Sequence, residues 1–128
     1  MRTSALQLAA ALTLVSSAAQ AGLPGSLSGT WFNRNQNGHG ISLEILDDNR
    51  AVAIWHVFDP QGQPLTLYID GRIEGRSIVG NAYAPRGMRF GEFDAHTLQL
   101  PAWGSVRIDV RSCEFANLQW SALDPAFG

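Results

Sequence analysis

The chain has 128 residues, with nine basic residues, all of them arginine, against eleven acidic ones, for a formal charge of −2. A weakly acidic, lysine-free chain without a basic run excludes the electrostatic footprint of a nucleic-acid binder or an anionic-membrane surface protein. One cysteine excludes an intrachain disulfide, and the length fits a single domain.

The first element reads as a leader. Arg2 supplies a positive n-region, Ala5 to Val15 is apolar except for Gln7 and Thr13, and Ala19-Gln20-Ala21 is an A-x-A cleavage signal. At roughly 10–12 apolar positions the run is too short to span a bilayer. Residues 1–21 are therefore expected to be a signal peptide and 22–128 a mature periplasmic or secreted domain. No cysteine follows the apolar run, so no lipid anchor is expected, and nothing after residue 21 reads as a membrane-inserting helix. Loss of Arg2 leaves eight arginines against eleven acids, a mature charge of −3.

From residue 22 onward apolar residues recur with period two, so strands are expected throughout. "GTWFN" (Gly29 to Asn33) opens the first. "NRNQNGHGISLE" follows, and its Asn37-Gly38 pair favours a hairpin turn because both residues tolerate positive φ. Gly38 and Gly40 flank His39, a pattern that re-aims a chain at a turn or bulge. If His39 belongs to the second strand it shares a face with Ile41 and Leu43, not with Glu44, because side chains alternate. The stretch reads first as a turn, with Asn33, Asn35 and His39 as a contact loop at its rim.

"GISLEIL" alternates Ile41, Leu43 and Ile45 against Ser42, Glu44 and Leu46. "RAVAIWHVF", apolar on both faces, reads as a central strand in which His56 is interior or half-buried. "DPQGQP" is a turn in which Asp59 caps its own backbone. "LTLYID" is expected to end at Asp70-Gly71, and "GRIEGRSIVGNAYA" to hold a further strand pair turning at Glu74-Gly75-Arg76. "APRGMRFGE" places Arg86 and Arg89 on one surface loop, a candidate anion clamp. "GMRFGEFD" and "HTLQL" read as short strands, "WGSVRIDVRSC" as an amphipathic one and "ANLQWSAL" as the last. Cys113 reads as a small buried hydrophobe at a strand end. About eight or nine strands joined by short turns imply an all-β fold, either a small antiparallel up-and-down β-barrel or a two-sheet sandwich.

Gly29-Thr30-Trp31 is the G-x-W that opens lipocalin-like barrels. In those folds the tryptophan plugs one end, the glycine allows close approach, and a basic residue of the last strand covers the indole. Streptavidin-like proteins begin similarly, but the later tryptophan-bearing strands of a biotin site are missing from this sequence. "GTWFNRNQNGHGISLEIL", "AVAIWHVFDPQGQPLTL" and "PAWGSVRIDVRSCEFANLQW" together resemble a family of exported β-rich domains of proteobacterial envelope proteins. The likeness covers roughly Leu27 to Trp120. It implies fold and address rather than chemistry, and marks Gly29, Trp31, Gly38, Gly40, Trp103 and Cys113 as structural. Members of that family continue past the counterpart of Phe127-Gly128 into a closing strand. The expectation is an open edge, or a strand missing from this chain.

The histidines, His39, His56 and His96, show no metal-ligand spacing, so no metal and no cofactor are expected. Glu44, Asp59, Asp70, Glu92 and Asp94 are the candidate acids, yet none forms an obvious convergent pair, and no G-x-S-x-G elbow exists. The expected protein is not an enzyme. It is a binding module contacting a protein partner, inhibitor- or immunity-like, or forming a homodimer through an open edge. Its working surfaces are expected at a barrel mouth formed by Asn33, Asn35, His39, Trp55, His56 and Tyr68, and at the unpaired edge near the C-terminus. A small-ligand or glycan carrier using the interior is the alternative, and an envelope hydrolase the third reading.

Overall fold

The computed structural model describes residues 22–128, so the expected leader and its cleavage site lie outside the described residues. The chain forms seven strands: β1 (Gly29–Phe32), β2 (Gly40–Ile45), β3 (Arg50–Phe58), β4 (Pro64–Glu74), β5 (Ser77–Tyr83), β6 (Ala102–Val110) and β7 (Ala116–Ala122). Single 3-10 turns lie at Gly25–Leu27, Ala95–Thr97 and Pro125–Phe127. Each strand pairs antiparallel with the next in chain order. The single sheet curls into a half-barrel: Trp55 of β3 meets Trp103 of β6 and Trp120 of β7 across the interior, each at 5.6 Å between ring centroids. No described pairing joins β1 to β7, so the barrel stays open there.

Period-two patterning decides which side is buried. Ile41, Leu43, Ala53, Trp55, Leu67, Ile69, Ile78, Val106 and Ile108 point inward and form one apolar cluster. Leu67, Ile69 and Ile78 are fully enclosed, and burial of each such side chain contributes about 1.5–3 kcal/mol. The turns follow their own chemistry. Asp48 and Asn49 both take positive φ, 59° and 57°, between Asp47 and Arg50, as a primed hairpin turn requires. Asp59 caps the β3–β4 turn by accepting from the amides of Gln61 and Gln63, at 2.9 and 2.8 Å.

Several expectations need correction. The strands number seven because "LTLYID" and "GRIE" are one strand of 11 residues and no strand lies between β5 and β6. Gly71 does not end it but lies in register between Ala51 and Gly80. "GMRFGEFD" and "HTLQL" are no strands: two isolated bridges, Arg86 with Gln99 and Arg89 with Glu92, and a 3-10 turn hold that loop. Cys113 is exposed, because Arg111 to Phe115 form the β6–β7 hairpin instead of extending β6. Trp31 is covered from upstream: its Nε1 donates to the Leu27 carbonyl at 3.1 Å, and Leu27 is itself buried. Nothing crowds Gly29; its φ of 150° is what suits glycine there.

Candidate functional site

The rim loop between β1 and β2 is built by local hydrogen bonds. Two successive turns, Asn33 to Gln36 and Gln36 to His39, are closed by amide-to-carbonyl bonds of 3.0 and 3.2 Å. The Asn33 side chain accepts from the Asn35 amide at 3.0 Å, which makes Asn33 a turn former. Of the Asn37-Gly38 pair only Gly38 takes positive φ, at 85°, so the primed two-residue turn does not form. His39 precedes β2 rather than joining it, and its ring meets the edge of Phe58 at 5.3 Å. The loop is thereby fastened to the end of β3.

The six residues expected to share a barrel mouth do not share a surface. Trp55 points inward and is buried. His56, its neighbour, points outward and is exposed, opposite Gly40 and Thr66. Tyr68 lies between buried Leu67 and Ile69, so it faces out, where it pairs with Ile54 and lies 6.4 Å from Tyr83. Adjacent residues of a strand cannot share a face. Arg86 is tied to Gln99 by two backbone bonds and an Nε–Oε1 bond of 3.0 Å, and serves to hold its own loop. Arg89 remains exposed on the same loop.

Three of the five candidate acids, Asp59, Asp70 and Asp94, hold structure, while among the described residues the Glu44 and Glu92 side chains make no such bond. Asp94 and Asp124 cap 3-10 turns, and Asp70 binds Arg50 at 3.2 Å. Among the described residues no group of three His, Cys, Asp or Glu gathers to hold a metal, and no helix is long and apolar enough to cross a membrane.

The feature that stands out is the open side of the half-barrel. Antiparallel ladders alternate residues that bond the neighbouring strand with residues that face away from it. In the β6–β7 hairpin Arg111 bonds Phe115, and Leu123 donates to Trp103. By register, Asn117, Gln119 and Ser121 therefore bond β6, while the backbone of Ala116, Leu118, Trp120 and Ala122 faces outward along the edge. No described strand covers these groups.

The inward side chains of the same four residues continue the core to the opening, where Trp120 is still 47 % exposed and Leu118 half-buried. Behind Trp120 lies an aromatic cluster: Trp55 touches Trp103, which touches Phe127 at 5.3 Å. Trp103 is 8 % exposed, and its Nε1 has no hydrogen-bond partner. Edge strands are ordinarily blunted by charge, proline or shortness. Strand β1, with four residues, is short; β7, with seven, carries no charge and no proline. That uncharged run, "ANLQWSA", is the sequence signal of an unprotected edge. No family model, no curated protein and no solved structure matches the chain.

Proposed function

We propose that the protein is an exported, non-catalytic interaction module that accepts a strand from a protein partner along the free edge of β7. The observation that carries this is the alignment of four outward-facing backbone residues with a half-exposed inward tryptophan on one uncharged strand. In strand addition the main chain supplies affinity, while side-chain pockets on alternate residues supply specificity. An incoming strand would cover Trp120 and Leu118 and complete the apolar interior. The resemblance to exported envelope domains supports a periplasmic address, and the turn-capping and ion-paired acids favour binding over catalysis.

The second reading is a small-ligand or glycan carrier. It is favoured by the unpartnered Trp103 Nε1 within the aromatic cluster, a donor facing π-surfaces suited to stacking. The edge reading ranks first because it also explains the free backbone groups.

The test uses two proline positions whose amides face the free edge. The double variant A116P/A122P leaves the β6 ladder intact and removes two donors from the edge. Mature wild-type protein recovered from periplasm is expected to carry a partner in fixed stoichiometry. The variant should keep its melting temperature and lose that partner. Retention of the partner by the variant would remove the edge as the site.

A further inference from the structure

At the end of the half-barrel where the β4–β5 and β6–β7 turns lie, the outer face carries a cluster that the edge does not involve. Ser77 heads β5 and stands opposite Asp109 of β6. The Ser77 hydroxyl donates to Asp109 Oδ1 at 2.5 Å, and Arg107 Nε donates to the same oxygen at 2.9 Å. Arg107 Nη2 donates to Ser77 Oγ at 2.8 Å, closing a three-residue ring. Ser77 is the one buried polar residue among the described residues. Arg76, in the turn before β5, donates Nε to the Val110 carbonyl at 3.1 Å. Arg111 follows β6 directly. These residues line an open cleft of about 380 Å³.

Two features separate this cluster from an ordinary solvated charge pair. The first is imbalance. Three guanidinium groups face one carboxylate, in a domain whose net charge is −3. Glu74 lies across from Ser77 in the β4–β5 register but does not line the cleft. The second is anchoring. Arg76 and Arg107 are fixed through Nε, and the terminal nitrogens of Arg76, Nη1 of Arg107 and the whole Arg111 guanidinium make no hydrogen bond among the described residues. Fixed guanidinium groups with free terminal N–H donors suit the planar, bidentate recognition of oxyanions. Pre-anchoring lowers the ordering cost of binding.

We infer that this cleft binds a phosphate group, with Arg76, Arg107 and Arg111 as its donors and Asp109 and Ser77 as the brace that holds Arg107. Its volume lies near the small end of ligand pockets, about 300–1,000 Å³, which leaves room for a substituent on the phosphate. The phosphate of a soluble monoester and that of a lipid headgroup present the same oxygens, so the two sources are separated by experiment.

The measurement is a titration of the mature protein followed by NMR at the arginine Nε–H groups and the Ser77 and Val110 amides. Inorganic phosphate and glycerol phosphate form one arm. Phosphatidylcholine vesicles with and without phosphatidylglycerol form the other, all at matched ionic strength against chloride. Saturable shifts confined to Arg76, Arg107 and Arg111 and the adjoining Ser77 and Val110 amides are expected, weakened about tenfold by R111Q, the loss of one charge-assisted donor set. R34Q, an exposed arginine on the rim loop, is expected to change nothing. A116P/A122P should bind phosphate like wild type, so failure of the edge reading leaves this one standing. Response to phosphatidylglycerol vesicles but not to soluble phosphates assigns the group to a lipid. Absence of saturable shifts in both arms, or equal weakening by R34Q and R111Q, overturns the site.

Discussion

Gly38 and Asp109 each perform one task that a single substitution exposes. At Gly38 the φ of 85° and the Phe58 ring, 2.8 Å from where a Cβ would stand, both require glycine. G38A is expected to lower stability by about 1–3 kcal/mol, the usual range for a non-glycine residue forced into that region, read as a shift of the thermal midpoint. The Asp109 carboxyl is held below its ordinary value, mainly by the Ser77 hydroxyl, then by Arg107 and Arg111, against the opposing effect of burial. Because the folded value lies below the unfolded one, the stabilisation is fully present above about pH 4 and is lost as pH falls through the folded value. D109N should therefore flatten the acid limb of the stability curve, and an unchanged limb would show that Asp109 does not contribute to it. At this scale the sequence was readable where chemistry is local. Asn33 and Asp59 cap turns because the acceptor and the amides lie two to four residues apart. Cys113 was misread because its exposure depends on where a hairpin turns, which the period-two pattern of "VRIDVRSC" does not mark.

The strands themselves were legible from alternation, their faces less so. Trp55 and His56 were placed on one mouth although neighbours on a strand point oppositely, and Gly71 was read as an ending although it sits mid-strand, where the Ile78 side chain of β5 fills the place a Cβ would take. The β7 edge belongs to this scale, and its parity makes a sharp contrast. A116P/A122P removes only outward amides and should leave the isolated protein as stable as wild type. S121P removes an amide that bonds β6 and should cost about 1–3 kcal/mol, the penalty of an orphaned partner group. Denaturant melts of the two variants check this; equal loss in both would mean the ladder parity is otherwise.

For the whole molecule, an all-β up-and-down half-barrel was foreseeable from short turns and the lack of crossovers. An open edge was among the expectations, on the strength of the family resemblance, although no local motif marks it, since closure depends on whether β1 and β7 come within pairing distance, a property of sheet curvature. The aromatic cluster at the opening separates folding from binding. W55A, deep in the core, is expected to cost about 3–5 kcal/mol of stability. W120A removes a side chain still 47 % exposed and should cost the isolated protein much less. In the complex it should cost about 2 kcal/mol or more of affinity, as a covered tryptophan at an interface centre does. Calorimetric melts and binding isotherms of both variants separate the two effects.

The most direct test of strand addition is residue-resolved amide hydrogen exchange of β7, alone and with the partner recovered from periplasm. In the isolated protein Asn117, Gln119 and Ser121 should be protected, while Ala116, Leu118, Trp120 and Ala122 exchange freely. Binding should slow those four and leave the other three nearly unchanged. Protection of all seven in the isolated protein, or a partner that binds without slowing the outward four, would contradict the proposal.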